Sequence, residues 1–313
     1  MARVSLRWQS SSSTALVAPA DLGISAPTGP FASGTQVGVP TGTSLTTRTS
    51  LGAATGSESY TITHPILGAQ ATQTRSVWQN MKFTSTFTVS TTTAAPYLFR
   101  NCRWEVDGTV WTVEVDQANG VNDQMQPLVV FDHCEFQGLG DSNAGVAGSF
   151  CWLINCDVQG MPGTTIPSGA SDGWDGAAYS VAVDSNLIAG TNFNLPDPHS
   201  DGMQCTGTGG ITVYHCWIDA GGSAGANSAI RVGTEDGNVD QVDVFYCGLN
   251  DGGYAAQFRG DAGGARNITN IRFRGNRWTT TAVYGPTDFV NTTVTEWTNN
   301  AYFDGTTIPN PSP

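Results

Sequence analysis

Apolar side chains recur along this chain in a six-residue motif that occurs nine times between Trp78 and Tyr302. Each copy has an apolar residue, two further residues, a pivot residue, one more residue and a second apolar residue. One copy is Phe131-Asp-His-Cys134-Glu-Phe136. The pivots, 21 to 32 residues apart, are Met81, Cys102, Cys134, Cys156, Asn186, Cys216, Cys247, Asn276 and Asn300. Self-similarity of this period predicts a solenoid.

The segments that carry the motif are too short for helices. They are bounded by turn-forming residues, as in Asn250-Asp-Gly-Gly253, and are therefore typical of strands. No segment sustains the apolar spacing of a long amphipathic helix. Strands that return to the same side in every turn predict an all-β fold, a single-stranded parallel β-helix of about nine rungs. Parallel crossovers are right-handed in nearly all proteins, so we expect that hand.

A second strand within each rung is indicated by a repeated phrase. Ser171-Asp172-Gly173-Trp174-Asp175 returns 29 residues later as Ser200-Asp201-Gly202-Met203-Gln204. This places Asp172 one rung below Asp201. Because strand residues alternate between faces, the register predicts two rows. The inward row comprises Met203, Cys205, Ile230, Val232, Ala256 and Phe258, and the outward row comprises Asp175, Gln204, Arg231 and Gln257, with Arg259 two residues further along.

The pivots predict an inward column that stacks from rung to rung. Stacked asparagines satisfy their amides along the column, and a buried Cys packs as a small hydrophobe. The chain has seven cysteines and no Cys-x-x-Cys motif. Parallel side chains on neighbouring rungs point the same way, so we expect free thiols rather than disulfides. Without paired ligand spacing, the cysteines do not indicate zinc. His133 and His215 precede pivots, in a column of turn residues.

Acidic residues outnumber basic ones, with 26 Asp plus Glu against 13 Lys plus Arg and a formal charge of −13. This balance argues against nucleic acid and anionic membranes as partners. No segment approaches the ~18 apolar residues that span a bilayer, so we expect no membrane insertion. The first residues also lack the features of an export signal. The high Gly content, 38 residues, and the 12% of charged residues suit a β-rod that functions outside a cell.

Residues 1–58 are rich in Ser, Thr, Gly and Pro and lack the motif. Two interpretations stay open for them. One is a disordered leader. The other is an extended arm that contacts other subunits or docks this subunit onto a larger assembly. We therefore divide the chain into an N-terminal arm, residues 1–58, and a β-helix, residues 59–313. Apolar and polar side chains alternate over residues 60–66. This pattern predicts that these residues begin the cap of the β-helix.

The segment from Asp197 to Gln204 contains the candidate catalytic chemistry. It places His199 and Asp201 at the turn that enters the outward row. Two carboxylates on neighbouring rungs can flank a glycosidic bond, and an imidazole can act as acid or base. The candidate catalytic residues are Asp201, Asp175 and His199. Two alternatives stay open, because Asp172, Asp197 and Asp201 also offer oxygen ligands to Ca²⁺ and Asp-Gly is common in tight turns.

The outward row has the chemistry of a sugar-binding strip. Its amide and guanidinium groups present fixed hydrogen-bond donors that suit hydroxyl or uronate groups. The candidate ligand-binding residues are Gln204, Arg231, Gln257, Arg259, Asp172 and Asp197. A solvated strand face is the alternative. We predict no cofactor, with Ca²⁺ as the one ion that the carboxylates would suit.

The rungs and the run Pro198-His199-Ser200-Asp201-Gly202-Met203-Gln204 resemble the pectate-lyase-like right-handed β-helix superfamily. The run is similar to a His-(Ser/Thr)-Asp-Gly-Ile-Gln sequence in β-helix proteins of actinobacteria and their phages. The Ser/Thr/Gly-rich leader and acidic β-helix resemble minor tail proteins of actinobacteriophages. The resemblance implies a virion tail protein that is assembled in the host cytoplasm. It also implies a trimer that contacts other tail proteins and host cell-envelope polysaccharide.

Enzymatic members of this superfamily cleave acidic polysaccharides. The chain lacks the polygalacturonase set of Asn-Thr-Asp, Asp-Asp, Gly-His-Gly and Arg-Ile-Lys. We therefore favour a structural protein that contacts glycan. A polysaccharide depolymerase, either hydrolase or lyase, and a secreted bacterial adhesin stay open as alternatives.

Overall fold

In the computed structural model of the chain, the described residues form strands and turns and no helix. They are residues 24–90, 96–106, 111–116, 124–138, 144–160, 172–176, 179–190, 201–207, 209–221, 228–261 and 263–311. The predicted all-β class is therefore confirmed. Over the same ranges, no helix has the length and apolarity needed to cross a membrane.

Twenty-eight strands lie in these ranges. The first fourteen are β1 (Thr46–Arg48), β2 (Gly56–Thr63), β3 (Gln70–Gln79), β4 (Met81–Phe83), β5 (Phe87–Ser90), β6 (Tyr97–Arg100), β7 (Arg103–Val106), β8 (Trp111–Asp116), β9 (Val129–Asp132), β10 (Glu135–Gly138), β11 (Ala144–Gly148), β12 (Cys151–Ile154), β13 (Asp157–Gln159) and β14 (Asp172–Gly176). The others are β15 (Val181–Val183), β16 (Asn186–Ile188), β17 (Asp201–Thr206), β18 (Ile211–Tyr214), β19 (Trp217–Asp219), β20 (Ser228–Gly233), β21 (Val239–Phe245), β22 (Gly248–Asn250), β23 (Tyr254–Arg259), β24 (Ile268–Arg274), β25 (Arg277–Trp278), β26 (Gly285–Val290), β27 (Thr292–Thr298) and β28 (Ala301–Tyr302).

The strands form three sheets of a parallel β-solenoid, and each coil adds one strand to each sheet in turn. Sheet I has the order β2-β3-β6-β9-β12-β15-β18-β21-β24-β27, sheet II β1-β4-β7-β10-β13-β16-β19-β22-β25-β28, and sheet III β5-β8-β11-β14-β17-β20-β23-β26. In the described residues, eight coils have three strands and a last coil has only β27 and β28. The predicted fold is thus confirmed, and the count of nine rungs differs slightly because the last is incomplete. The right-handed winding of the solenoid stays a prediction.

The six-residue motif is a corner between two strands rather than a strand. In the third coil, β9 ends at Asp132, His133 adopts the left-handed region at φ 52°, and β10 begins at Glu135. One left-handed residue occurs in every copy, directly before the pivot in eight of them and two places before Asn186 in the fifth: Asn80, Asn101, His133, Asn155, Asp184, His215, Tyr246, Gly275 and Asn299. Asn, Asp, His and Gly tolerate this region best, which explains why the column of turn residues is mostly polar.

The pivot column points inward as predicted. All seven cysteines are buried free thiols, in agreement with the prediction. One pivot was wrong, because the register pairs Asn186 with Asp157 and with Trp217. Ser185 therefore lies between Cys156 and Cys216, and its hydroxyl accepts the N–H of Cys156 at 3.0 Å. Asn186 lies one place further along and faces the N-terminal segment.

The core is continuous along the solenoid because like side chains stack on successive coils. The rings of Trp104 and Phe136 are parallel to within 10° at 4.6 Å. Burial of one such side chain stabilises the fold by about 2–3 kcal/mol. At the C-terminal end the predicted asparagine ladder is present, where Asn276 Nδ2 donates to Asn300 Oδ1 at 3.1 Å.

Residues 24–48, which we call the arm segment, lie along the outside of the solenoid of their own chain. The carbonyl of Pro27 lies over Gly248, where a Cβ atom would come within 2.6 Å of it. Further along, the N–H of Gly38 donates to the carbonyl of Asn155 at 2.8 Å. The segment ends in β1, which pairs with β4. It therefore runs from the seventh coil back to the first.

The N-terminal end of the solenoid is capped by β2, which is antiparallel to β3 and extends sheet I. Residues 60–66 were predicted to begin this cap, and β2 contains the first four of them. The division at residue 58 falls within β2 and stays a prediction. Residues 1–23 lie outside the described residues.

Candidate functional site

Sheet III brings the predicted outward row together in register. The Cα pairs are Asp175 with Gln204, Gln204 with Arg231, and Arg231 with Gln257. Neighbouring members are therefore about 4.8 Å apart. All four side chains are partly exposed. The six residues predicted to point inward are fully buried, so the two faces of the strand lie as predicted.

The row extends beyond the predicted residues at its C-terminal end. Asp288 follows Gln257 in register. Its Oδ2 accepts hydrogen bonds from Gln257 Nε2 at 3.2 Å and from Arg259 Nε at 2.6 Å. The predicted register ended at Gln257 and Arg259, so Asp288 was not included in the row. The 31-residue spacing from Gln257 is the signal that could have found it.

Both arginines of the predicted site are paired with carboxylates. Arg231 donates to Glu235 at 2.8 Å, and the Arg259–Asp288 contact described above is also an ion pair. Arg259 is the more exposed, with 57% of its side chain accessible. Exposed pairs of this kind add little stability, but they hold the guanidinium planes in fixed directions. The row therefore presents ordered planar groups with little net charge.

Asp172 and Asp201 form a contact at the start of their strands. The N–H of Asp201 donates to Asp172 Oδ1 at 2.8 Å, and both side chains are buried. Gly202 and Met203 both face the core, since a Cβ atom at Gly202 would meet Ile218 Cγ2 at 2.8 Å.

The carboxyl groups of Asp172, Asp175 and Asp201 all have raised pKa values. Burial raises the pKa of Asp201 to about 7, against the opposing effect of Arg231. Burial also raises the pKa of Asp172 well above its usual range, and the neighbouring Asp201 adds to the rise. The pKa of Asp175 is raised to about 6, mainly by burial and also by Asp236. Such values suit groups that hold a proton for acid catalysis.

Asp172, Asp175 and Asp201 differ in how much of each side chain is exposed to solvent. Asp201 has no exposed surface, whereas Asp175 is partly exposed. The other predicted residues, Asp197 and His199, lie outside the described residues. The catalytic set and the Ca²⁺ ligand set therefore stay predictions. Within the described ranges, no three His, Cys, Asp or Glu side chains are placed to hold a metal ion.

Two tyrosines beside the row were missed by the sequence analysis. Tyr254 begins β23 and lies in register with Ser228, which in turn pairs with Asp201. Its ring is 5.6 Å from the ring of Tyr284, at an angle of 46°. Tyr284 is 73% exposed and Val283 beside it is 55% exposed. The repeat could have found Tyr254, because it occupies the position of Asp201 two coils later.

Comparison with known proteins gives no relative. No family model matches the chain, and no curated protein and no solved structure matches it. The predicted resemblance is confirmed as far as the parallel β-solenoid architecture. The pectate-lyase-like and phage-tail parts of that resemblance stay predictions.

Proposed function

We propose that this chain is a minor tail protein of a bacteriophage and that it contacts host cell-surface glycan through the outer face of sheet III. One observation supports this most strongly: the in-register row that comprises Asp175, Gln204, Arg231, Gln257 and Asp288. Each coil offers one planar polar group about 4.8 Å from the next. Fixed amide, guanidinium and carboxylate groups suit the hydroxyl groups of a polysaccharide.

Repetition explains why the solenoid suits this task. A polymeric glycan presents the same chemical groups many times, as the row does. Weak contacts at successive coils then act together, because the first contact raises the effective concentration for the next. A trimer would present three such faces to a cell surface, and other tail proteins would hold the subunit in the virion. These partners and the virion location belong to the proposal.

A depolymerase is the second candidate, favoured by the raised pKa of Asp175. As the partly exposed acid, Asp175 would protonate the glycosidic oxygen, and the predicted Asp201 and His199 would assist. Release of reducing ends or unsaturated uronates from envelope polysaccharide would support this candidate over the structural one. The secreted adhesin shares the glycan contact and differs in location, which mass spectrometry of purified virions tests.

Binding of the full chain to purified host cell-envelope polysaccharide tests the proposal. Arg231→Ala should weaken binding about tenfold or more, since a hydrogen bond that involves a charged group contributes about 1.5–3 kcal/mol. Gln257→Ala should weaken it about two- to tenfold, since a hydrogen bond between neutral groups contributes about 0.5–1.5 kcal/mol. Gln70→Ala, an exposed glutamine on sheet I, is the matched control and should bind as the wild type does. Wild-type protein that does not bind the polysaccharide, or virions that lack the chain, would contradict the proposal.

A further inference from the structure

We infer that the C-terminal end of the row carries a subsite for an uncharged pyranose ring, with Tyr284 and Tyr254 as its aromatic floor. Gln257, Arg259 and Asp288 form its polar side. This inference rests on the proposed function and narrows the ligand to neutral glycan.

The exposure of Tyr284 is the first observation. In the described residues, the exposed large apolar side chains are Leu67, Val283 and Tyr284, and two of these are adjacent here. The apolar C–H face of a pyranose stacks on the electron-rich face of an aromatic ring. Tyr284 therefore offers the surface that a sugar ring needs.

The aromatic pair is held in place before any ligand binds. The N–H groups of Val283 and Tyr284 donate to the carbonyls of Gly252 and Gly253 at 2.9 and 2.7 Å. The ring of Tyr254 supports that of Tyr284 from the side. A rigid site loses little conformational entropy on binding, so the contact energy is retained as affinity.

Open space surrounds the position on β26 that pairs with Tyr254. The register partner of Tyr254 is Gly285, which has no side chain. A Cβ atom built on Gly285 would have no neighbour within 4 Å. A larger residue there would project into this space. Glycine therefore leaves this position on β26 open, next in the chain to Tyr284.

The polar side of the subsite lies on the same two strands. Gln257 and Asp288 come three residues after Tyr254 and Gly285, about 10 Å along the strands. Asp288 Oδ2 accepts from both Gln257 and Arg259, which fixes all three planar groups. Their remaining N–H groups and oxygens supply both donors and acceptors. Sugar hydroxyls are donors and acceptors as well, so the two sets match.

Charge favours a neutral ligand. Arg259 is paired with Asp288, and Arg231 is paired with Glu235. These four groups have no net charge, whereas the chain carries −13. A polyanion would be repelled at long range and would have to displace a carboxylate at contact. A neutral polysaccharide meets neither obstacle.

Isothermal titration of the full chain with defined polysaccharides tests the subsite. Dextran, mannan and arabinogalactan are the neutral probes, and polygalacturonate is the anionic one. We expect wild-type protein to bind at least one neutral polymer. Tyr284→Ala should weaken that binding about three- to tenfold, as expected for an aromatic contact. Tyr284→Phe should retain it, and Leu67→Ala, at the other exposed apolar site, should not change it.

The outcomes separate this inference from the proposed function. If Gln257→Ala weakens glycan binding and Tyr284→Ala does not, the subsite is wrong and the proposed function stands. If wild-type protein binds polygalacturonate and none of the neutral polymers, the inference of a neutral ligand is wrong. The proposed glycan contact through the row then still stands. If wild-type protein binds neither the defined polymers nor envelope polysaccharide, both fail.

Discussion

One residue per coil adopts left-handed backbone at the corner between sheets I and II. Eight of the nine are Asn, His, Asp or Gly, and Tyr246 is the exception. The ring of Tyr246 packs edge-on against Tyr214 at 5.8 Å and is buried. That burial offsets the conformational cost, which is about 1–2 kcal/mol for a side chain that lacks local polar contacts.

Substitution at Asn155 tests the corner. Asn155 has φ 52°, and its carbonyl accepts the N–H of Gly38. We expect Asn155→Val to lower the free energy of unfolding by about 1–2 kcal/mol, because a β-branched side chain is strained there. Asn155→Gly should change it little. Urea denaturation measures both, and equal losses would show that the side chain rather than the backbone matters.

The buried amide of Asn276 connects neighbouring coils. Its Oδ1 accepts the N–H of Cys247 at 2.8 Å, and its Nδ2 donates to the carbonyl of Val244 at 2.7 Å. Asn276→Ala should cost about 2–4 kcal/mol, because each buried group left unpaired costs about 1–3 kcal/mol. Asn238→Ala is the control, since the exposed N–H of Asn267 that it releases can bind water. Equal urea midpoints for the two variants would refute this role.

Residue chemistry predicted the pivot column but not every position in it. The cysteines fixed the register, because each copy that contains one has apolar residues at the same two places. In the fifth copy, Val183 and Ile188 fitted the motif as well as Ala182 and Leu187 did. Ser185 and Asn186 are both compatible with a column of small polar and thiol groups. Only the strand pairing resolved the one-residue slip.

At the scale of elements, the arm segment is held by a few specific contacts. Asn186 accepts the N–H of Phe31 at 2.8 Å and donates to the Phe31 carbonyl at 2.9 Å. The amide thus replaces the neighbouring strand that the arm segment lacks. These partners are 155 residues apart and belong to no repeat. Periodicity could therefore not predict this contact, whereas it did predict the coils.

Removal of the Asn186 amide should release the arm segment and leave the coils folded. We expect Asn186→Ala to speed hydrogen exchange of the Phe31 amide at least tenfold, because both of its backbone groups lose their partner. Asn250→Ala is the control on the same sheet, since its amide donates to Asp219 and Asp251 instead. Unchanged exchange near Phe31, measured by mass spectrometry, would contradict this account.

At the scale of the whole molecule, three acids with raised pKa values make stability depend on pH. The folded-state pKa values of Asp172, Asp175 and Asp201 lie above those of the unfolded chain. The folded state therefore binds more protons between about pH 4 and pH 7. Stability is full at the acidic end of this range and falls as pH rises through it.

Asp201→Asn isolates this effect from the general charge of the chain. The amide is neutral at every pH, so the melting temperature should fall less between pH 5 and pH 8 than in the wild type. At pH 8 the variant should be the more stable protein. Asp261→Asn, which removes an exposed carboxylate, should keep the wild-type slope. Parallel curves for wild type and Asp201→Asn would rule out this source of the pH dependence.

The sequence predicted the outward row because strand alternation and the repeat both apply to it. It did not reveal the burial of Asp201, since an Asp-Gly turn looks the same whether covered or open. Tyr284 was also missed, because it precedes β26 and belongs to no repeated phrase. The burial of Asp201 and the exposure of Tyr284 depend on the packing of other parts of the chain, so they could be found only from the three-dimensional structure.

The path of the arm segment also sets an order of events during translation. Phe31 leaves the ribosome 155 residues before Asn186 does, which is about 8–30 s at about 5–20 residues per second. Phe31 must therefore wait until the fifth coil has been made before Asn186 can hold it. Chains stalled before Asn186 should be cleaved near Phe31 by a protease, and chains that extend beyond the fifth coil should resist, so attachment of the segment would report that the first half of the solenoid has formed.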